Sequence, residues 1–213
     1  MLYSEQTQKK RIEFYVDRAK FIDSKKELPS LNLAKHNLIL TLEQSKAAKA
    51  DFDAEWQRLE DKFQLSKVTE ELPMCLIVPG YNNNENFRIE SNLNSIFTQN
   101  YSNYKVIVIN DASTDGSGDT YRRYFEFYGI DPAHYTYIEN SVRVTAVENI
   151  YMASTKHCGR DEIVVTIDAD DEFIGRNALK VFNWGYQTKR AGVLYSNFYF
   201  YRQSFEVREG FTE

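Results

Sequence analysis

Several common features are scarce or missing in this chain of 213 residues. Its two cysteines are too few for a disulfide framework. Cys75 lies in an apolar strand and Cys158 near a helix end, so we expect both to be reduced, as in a cytoplasmic protein. No apolar run approaches the ~18 residues of a membrane span, and the first residues lack a signal-peptide pattern. The net charge of −5 argues against a nucleic-acid partner, which requires clustered Lys and Arg.

Glycine is absent from the first seventy residues, which are rich in charge and carry apolar residues at helical spacing. A break at residues 23–30 separates two helices, so residues 1–70 are predicted to form an N-terminal helical hairpin. The second helix has a heptad stripe. Its members are Leu38, Leu42, Ser45, Lys49, Phe52, Trp56, Leu59 and Phe63. We expect this stripe to pack on the main domain or on another copy of the chain, which would make a homo-oligomer.

Residues 71–213 alternate between strand and helix patterns, which predicts an α/β fold with a mostly parallel sheet flanked by helices. The predicted strands are Met74 to Val78, Lys105 to Asn110, Tyr135 to Glu139, Glu162 to Asp168 and Val193 to Tyr201. The predicted helices are Glu85 to Thr98, Asp119 to Tyr128, Thr145 to Lys156 and Asn177 to Lys189.

The fourth predicted strand ends abruptly in acids, with Asp168, Asp170 and Asp171 after a β-branched run. On an extended chain Asp168 and Asp170 project to the same side. At a separation of about 6 Å and an effective dielectric near 20, their repulsion is roughly 3 kcal/mol. A divalent ion bound to phosphate oxygens would relieve it. The alternative is that Asp168 caps a turn while the other two acids are solvated.

Two other strand ends are polar. The first strand continues into Pro79-Gly80-Tyr81-Asn82-Asn83-Asn84, and the second into Asn110-Asp111-Ala112-Ser113-Thr114-Asp115-Gly116-Ser117. With Asp168-Ala169-Asp170, three loops would meet at the carboxyl edge of a parallel sheet, where ligands bind in open α/β folds.

These three segments, in this order and at strand ends, resemble those of the family 2 glycosyltransferases. The resemblance covers roughly Pro73 to Tyr201 and leaves out the helical N-terminus. It implies a GT-A fold, which is Rossmann-like, and a metal-dependent enzyme that transfers a hexose from a UDP-sugar donor to a hydroxyl of a carbohydrate or glycoconjugate acceptor.

The first two loops are then expected to bind the nucleotide. Pro79, Tyr81 and Asn82 would line the base, and stacking on the Tyr81 ring is worth ~1–3 kcal/mol; alternatively, this ring packs on the neighbouring loop. Asp111 could accept a hydrogen bond from N3–H of uracil, which cytosine lacks, or form an Asx turn, or both. We interpret Asp115 first as a turn and helix-start residue, with a ligand contact as the second possibility.

The resemblance also assigns roles to the acidic loop. Asp168, the first acid of the D-x-D motif, would bind ribose or the metal through water, and Asp170 would coordinate Mn²⁺ or Mg²⁺ directly. Ala169 lies between them in the donor site. The ion would stabilise the UDP leaving group.

The chain departs from the family in two places. An arginine typical of the helix before the acidic strand is replaced in Val147-Glu148-Asn149, and we expect Arg143 to substitute for it or to be a plain surface residue. No acid beyond the D-x-D motif stands out as the general base, although the tail contains Glu206, Glu209 and Glu213. The catalytic residue therefore stays unassigned, and residues 71–213 are expected to form a GT-A domain truncated on its acceptor side.

Three other functions are alternatives to this interpretation. A nucleotidyltransferase would require a glycine-rich, basic loop after the first strand, which this chain lacks. A non-catalytic UDP-sugar-binding or scaffold module would explain the missing base. A coiled-coil interaction protein would explain the N-terminal stripe alone and none of the polar strand ends.

Overall fold

The structure, a computed structural model, describes residues 56–196, 199–201 and 207–209. The predicted hairpin falls mainly on residues 1–55, outside the described residues. Residues 56–63 are helical (α1), and the ring of Phe63 packs edge-on against Trp184, with centroids 4.8 Å apart. The part of the stripe that is described therefore contacts the main domain, while the domain boundary near residue 70 stays a prediction.

Four parallel strands form the main sheet, as the apolar runs predicted. They are β1 (Met74–Gly80), β2 (Tyr104–Asn110), β3 (Tyr135–Glu139) and β4 (Ile163–Thr166). Their order is β3-β2-β1-β4, so β1 and β2 lie in the centre. All seven residues of β1 are buried, because helices cover both faces of the sheet there.

Four helices flank the sheet: α2 (Arg88–Phe97), α3 (Ser117–Tyr128), α4 (Ala146–Lys156) and α5 (Ala178–Lys189). The larger core joins one face of the sheet to apolar residues of α2, α3 and α5. The smaller core lies on the opposite face, where Ala153 of α4 packs against Cys75, Ile77, Ile107 and Ile109. Within the described residues, no helix is both long and apolar enough to cross a membrane.

The end of β4 differs from the prediction. The strand stops at Thr166, and the Asp171 amide donates to the Asp168 carbonyl at 3.0 Å, which closes a turn. Asp168 and Asp170 therefore lie on a turn, and the extended spacing predicted for them is wrong.

The last predicted strand is also shorter than expected. Among the described residues of this segment, Tyr199–Tyr201 (β5) form a strand, which pairs antiparallel with Val207–Glu209 (β6) in a separate two-stranded sheet. Residues 193–196 are not a strand, and Val193 and Tyr195 are exposed. β-propensity mainly reflects the packing and burial of a side chain on a sheet. An exposed apolar side chain has neither, so its β-propensity does not decide the local structure.

The prediction of two reduced cysteines is wrong. Cys75 and Cys158 form a disulfide, with their Cα atoms 5.7 Å apart and a sequence separation of 83. The two cysteines meet because α4 packs on β1 and its carboxyl end brings Cys158 to the strand. The inference of a cytoplasmic location, which relied on reduced thiols, loses that support.

Candidate functional site

The loops after β1 and β2 are tied together at the carboxyl edge of the sheet. The Asn82 amide donates to Oγ of Ser113 at 2.9 Å, and the Thr114 amide donates to Oδ1 of Asn82 at 2.9 Å. The Asn83 amide in turn donates to Oγ of Ser117 at 3.1 Å. These hydrogen bonds hold the two loops together, so that they form one continuous surface.

Asp115 stabilises that surface from within. Its carboxylate accepts hydrogen bonds from the amide and the hydroxyl of Ser117, at 3.0 and 2.6 Å, and from the Asn84 amide at 2.8 Å. Both oxygens thus hold the turn that leads into α3. The contacts are those of a turn and helix-start residue.

The acidic loop joins the same edge through β1. The Ala169 amide donates to the Pro79 carbonyl at 3.2 Å. A Cβ at Gly80 would lie 2.8 Å from Cβ of Ala169 and 2.6 Å from the Tyr121 hydroxyl. This approach is possible only because residue 80 has no side chain, so all three predicted loops meet here.

Asp111 lies at the centre of the edge and is 3% exposed. Its Oδ1 accepts from Nδ2 of Asn140 at 2.8 Å and from the Val144 amide at 3.0 Å, and its Oδ2 accepts from the Thr145 amide at 3.0 Å. Burial alone would raise the pKa of this carboxyl, yet the surrounding donors hold the pKa below its ordinary value. Asp111 is therefore an ionised anchor for residues 140–145.

Residues 140–145 carry Arg143 over the first loop. The guanidinium carbon of Arg143 lies 3.8 Å from the centroid of the Tyr81 ring, a cation–π contact. Tyr81 is 37% exposed. Two of the side chains assigned to the nucleotide from sequence are thus adjacent, at the outer rim of the edge.

The acids of the third loop are exposed, and partial burial and neighbouring charges raise the pKa of two of them. Burial, followed by the charge of Asp170, raises the pKa of Asp168. Burial also raises the pKa of Asp171, with smaller contributions from Asp170 and Asp168. One oxygen of Asp170 lies 3.7 Å from a guanidinium nitrogen of Arg88. Hard carboxylate oxygens that repel one another suit a hard divalent cation.

These three carboxylates do not converge on one point in the described structure. The single group of three potential ligands found within 4.8 Å of one another, among the described residues, is Cys75, Cys158 and Glu162. Its sulfurs are joined in the disulfide, and Glu162 pairs with Lys105 at 2.9 Å. A cation at the acidic loop would need side-chain rotation to gather its ligands.

The fold and the three loops agree with the comparison with known families. The model for glycosyl transferase family 2 matches residues 75–210, which is most of the chain, and the protein belongs to that family. Its parallel sheet flanked by helices is the GT-A architecture predicted from the sequence.

The relatives that match are longer proteins. The chain is 29% identical over 135 residues to the glycosyltransferase GlyA of Streptococcus pneumoniae, covering 62% of this chain and 17% of that one. Among solved structures, Staphylococcus aureus TarS is 21% identical with a TM-score of 0.46, covering 56% of this chain and 20% of TarS. The mannosyltransferase PcManGT of Pyrobaculum calidifontis, in complex with GDP-Man and Mn²⁺, is 27% identical with a TM-score of 0.47, covering 65% and 41%. The chain thus spans less than half the length of each.

Three polar residues at this edge were not predicted from the sequence. Arg88 and Asn92 on α2 contact the acidic loop, and Asn140 binds Asp111. Asn92 carried a signal that could have been used. It lies among the apolar residues of an amphipathic helix, and a buried amide in such a place requires hydrogen-bond partners.

Proposed function

We propose that this chain is the donor-binding domain of a metal-dependent glycosyltransferase, and that it binds a UDP-sugar across the carboxyl edge of its sheet. The observation that carries the proposal is the convergence of the three polar loops on one edge. The Ala169–Pro79 and Asn82–Ser113 hydrogen bonds join them. Family membership supports a glycosyl transfer reaction.

The donor set of the third loop fits a divalent cation. Asp168 and Asp170 offer exposed carboxylate oxygens, and partial burial together with the negative charge of Asp170 raises the pKa of Asp168, an effect that a bound cation would oppose. Asp170 would bind Mn²⁺ or Mg²⁺ directly, and Asp168 would bind it or the ribose. The cation would supply charge stabilisation for the departing diphosphate. The chain itself orients the donor and holds the carboxylates.

The base would lie between the first two loops. Tyr81 offers a ring face at the rim, on which Arg143 now lies, and a bound base would replace or sandwich the guanidinium. A carboxylate has about four acceptor positions. Asn140, Val144 and Thr145 already donate to Asp111, and Asn149 is a further side-chain donor, so N3–H of uracil would replace one of these donors. The sugar is expected to be a hexose, and the acceptor and the general base stay unassigned.

A calorimetric titration tests the proposal. UDP, GDP and CMP are titrated with and without Mn²⁺ into the wild type, Asp170→Asn and Asp171→Asn. We expect the wild type to bind nucleotide only with Mn²⁺ and to bind UDP most tightly. Asp170→Asn should lose this binding. Asp171→Asn is the matched control, because Asp171 has no assigned ligand role, and it should largely keep the binding. Equal or absent binding of the three nucleotides would refute the proposal.

Transfer is tested separately by following loss of the sugar from UDP-hexoses. Metal-dependent release of UDP, even to water, is expected from an enzyme domain. Binding of UDP with Mn²⁺ and no sugar loss from any donor would favour the non-catalytic UDP-sugar-binding module instead.

A further inference from the structure

One face of α2 carries a polar stripe that contacts the segment following β4. Arg88, Asn92, Ser95 and Gln99 are spaced four, three and four residues apart, so they line the same side of the helix and its carboxyl end. Each contacts a residue between positions 168 and 175: Arg88 contacts Asp170, Asn92 contacts Asp168 and Asp171, Ser95 contacts Phe173 and Gln99 contacts Gly175. The stripe therefore runs beside the whole acidic loop.

Asn92 makes the contacts closest to the D-x-D motif. Its side chain is 1% exposed, and Nδ2 donates to the carbonyl of Asp168 at 3.0 Å and to the carbonyl of Asp171 at 2.7 Å. Those two carbonyls bracket Asp170. One buried amide thus fixes the backbone on both sides of the acid assigned to the cation.

The next residues of the stripe hold the loop further along. The Phe173 amide donates to Oγ of Ser95 at 3.0 Å, and that hydroxyl donates to the Asn92 carbonyl at 2.8 Å. Nε2 of Gln99 donates to the Gly175 carbonyl at 2.9 Å. The loop is therefore attached to α2 at several points, and Asn92 contacts the backbone of the motif itself.

We propose that Asn92 is a positioning residue that fixes the backbone of Asp168 and Asp170, so that rotation of their side chains alone gathers the carboxylates around a divalent cation bound together with a nucleotide diphosphate. The inference rests on the proposed function. Acids on a surface turn repel one another, and without the amide their backbone would be free to separate them. Groups that orient metal ligands from behind typically contribute 10–100-fold to metal affinity.

A matched control lies on the same helix. Asn94 is also a buried asparagine, at 7% exposure, but its Oδ1 accepts from the Tyr124 hydroxyl of α3 at 3.1 Å. The Asn94→Ala substitution removes this buried hydrogen bond to α3. A purely structural role for Asn92 would make the two positions behave alike.

The experiment measures Mn²⁺ affinity at saturating UDP, and UDP affinity without metal, for the wild type, Asn92→Ala, Asn92→Asp and Asn94→Ala. Asn92→Asp keeps the size of the side chain but cannot donate when ionised, and it serves if the alanine variant fails to fold. We expect Mn²⁺ affinity to fall 10–100-fold in both Asn92 variants and to stay within about twofold in Asn94→Ala. UDP affinity without metal should be unchanged in all of them.

Three results would overturn the inference. Mn²⁺ affinity within about twofold of wild type in a folded Asn92 variant would show that the amide does not position the ligands. An equal loss in Asn94→Ala would show general damage to α2. Absence of Mn²⁺-dependent UDP binding in the wild type would remove the proposed function itself, and with it the role of Asn92.

Discussion

The same chemical change, Asp to Asn, is predicted to have opposite effects on stability at two positions of the site. Asp111→Asn keeps the acceptor oxygen that binds Asn140 and Val144, but its amide group then faces the Thr145 amide, donor against donor. A hydrogen bond to a charged group is worth about 1.5–3 kcal/mol, so we expect that loss in the free energy of unfolding. For a chain of this length this lowers Tm by roughly 3–12 °C.

Asp168→Asn is expected to have the opposite effect on stability. The Asp168 side chain is largely exposed. Its partial burial and the charge of Asp170 raise its pKa, so its ionised form opposes folding. Neutralising it in metal-free protein is expected to stabilise the fold by a few tenths to about 1 kcal/mol, the range for exposed charge pairs. Tm should rise by about 1–4 °C.

The pH dependence separates the two effects. The pKa of Asp111 is lowered by folding, so its contribution is present above the ordinary carboxyl pKa of about 3.9 and is lost as pH falls through the lower folded value. The pKa of Asp168 is raised, so its unfavourable contribution is present at neutral pH and disappears as pH falls through the raised value and below the ordinary one.

The assay is thermal unfolding of both variants and the wild type in metal-free buffer between pH 3 and pH 8. The destabilisation of Asp111→Asn should be largest at pH 7 and shrink at the acid end. Equal destabilisation by both substitutions would refute the distinction between an anchored and an unanchored carboxylate. A stabilising effect of Asp111→Asn would refute this distinction as well.

Three further predictions follow from the site and the disulfide. Closing 83 residues by a disulfide stabilises a fold by at most about 4.5 kcal/mol in the chain-entropy model, so dithiothreitol or Cys158→Ser should lower Tm, and an unchanged Tm would argue against the bond. Gly80→Ala places a methyl against Ala169 and should cost about 1–3 kcal/mol in unfolding experiments, whereas a neutral variant would contradict the close approach. Tyr81→Ala should weaken UDP binding about 5- to 150-fold in calorimetry while Tyr81→Phe preserves it, because stacking requires the ring; equal losses would implicate the hydroxyl instead.

The sheet could be predicted from sequence because its signals are local and consistent. Runs such as Met74 to Val78 are continuously apolar, and each ends in a polar cluster, so strand order along the chain and a shared functional edge follow from pattern alone. The structure confirms the parallel sheet flanked by helices, and the family comparison confirms the family.

What could not be predicted depends on contacts between distant parts of the chain. The disulfide requires the packing of α4 on β1, and nothing in the sequence between the two cysteines indicates it. The turn at Asp168 is held by Asn92, 76 residues earlier, so local strand propensity extended β4 too far. Val193 is exposed and lies outside any strand of the described residues, which its β-branched side chain alone did not predict.

The central place of β1 also affects how the chain folds during synthesis. Met74 pairs with Ile163, so 89 residues (163 − 74) must be made before one side of β1 is covered. At typical translation rates of about 5–20 residues per second, that interval is roughly 4–18 s. For that time an apolar strand has an open hydrogen-bonding edge, which can pair with another nascent chain. Cells that make this protein in quantity should therefore need chaperones that shield the emerging amino-terminal half.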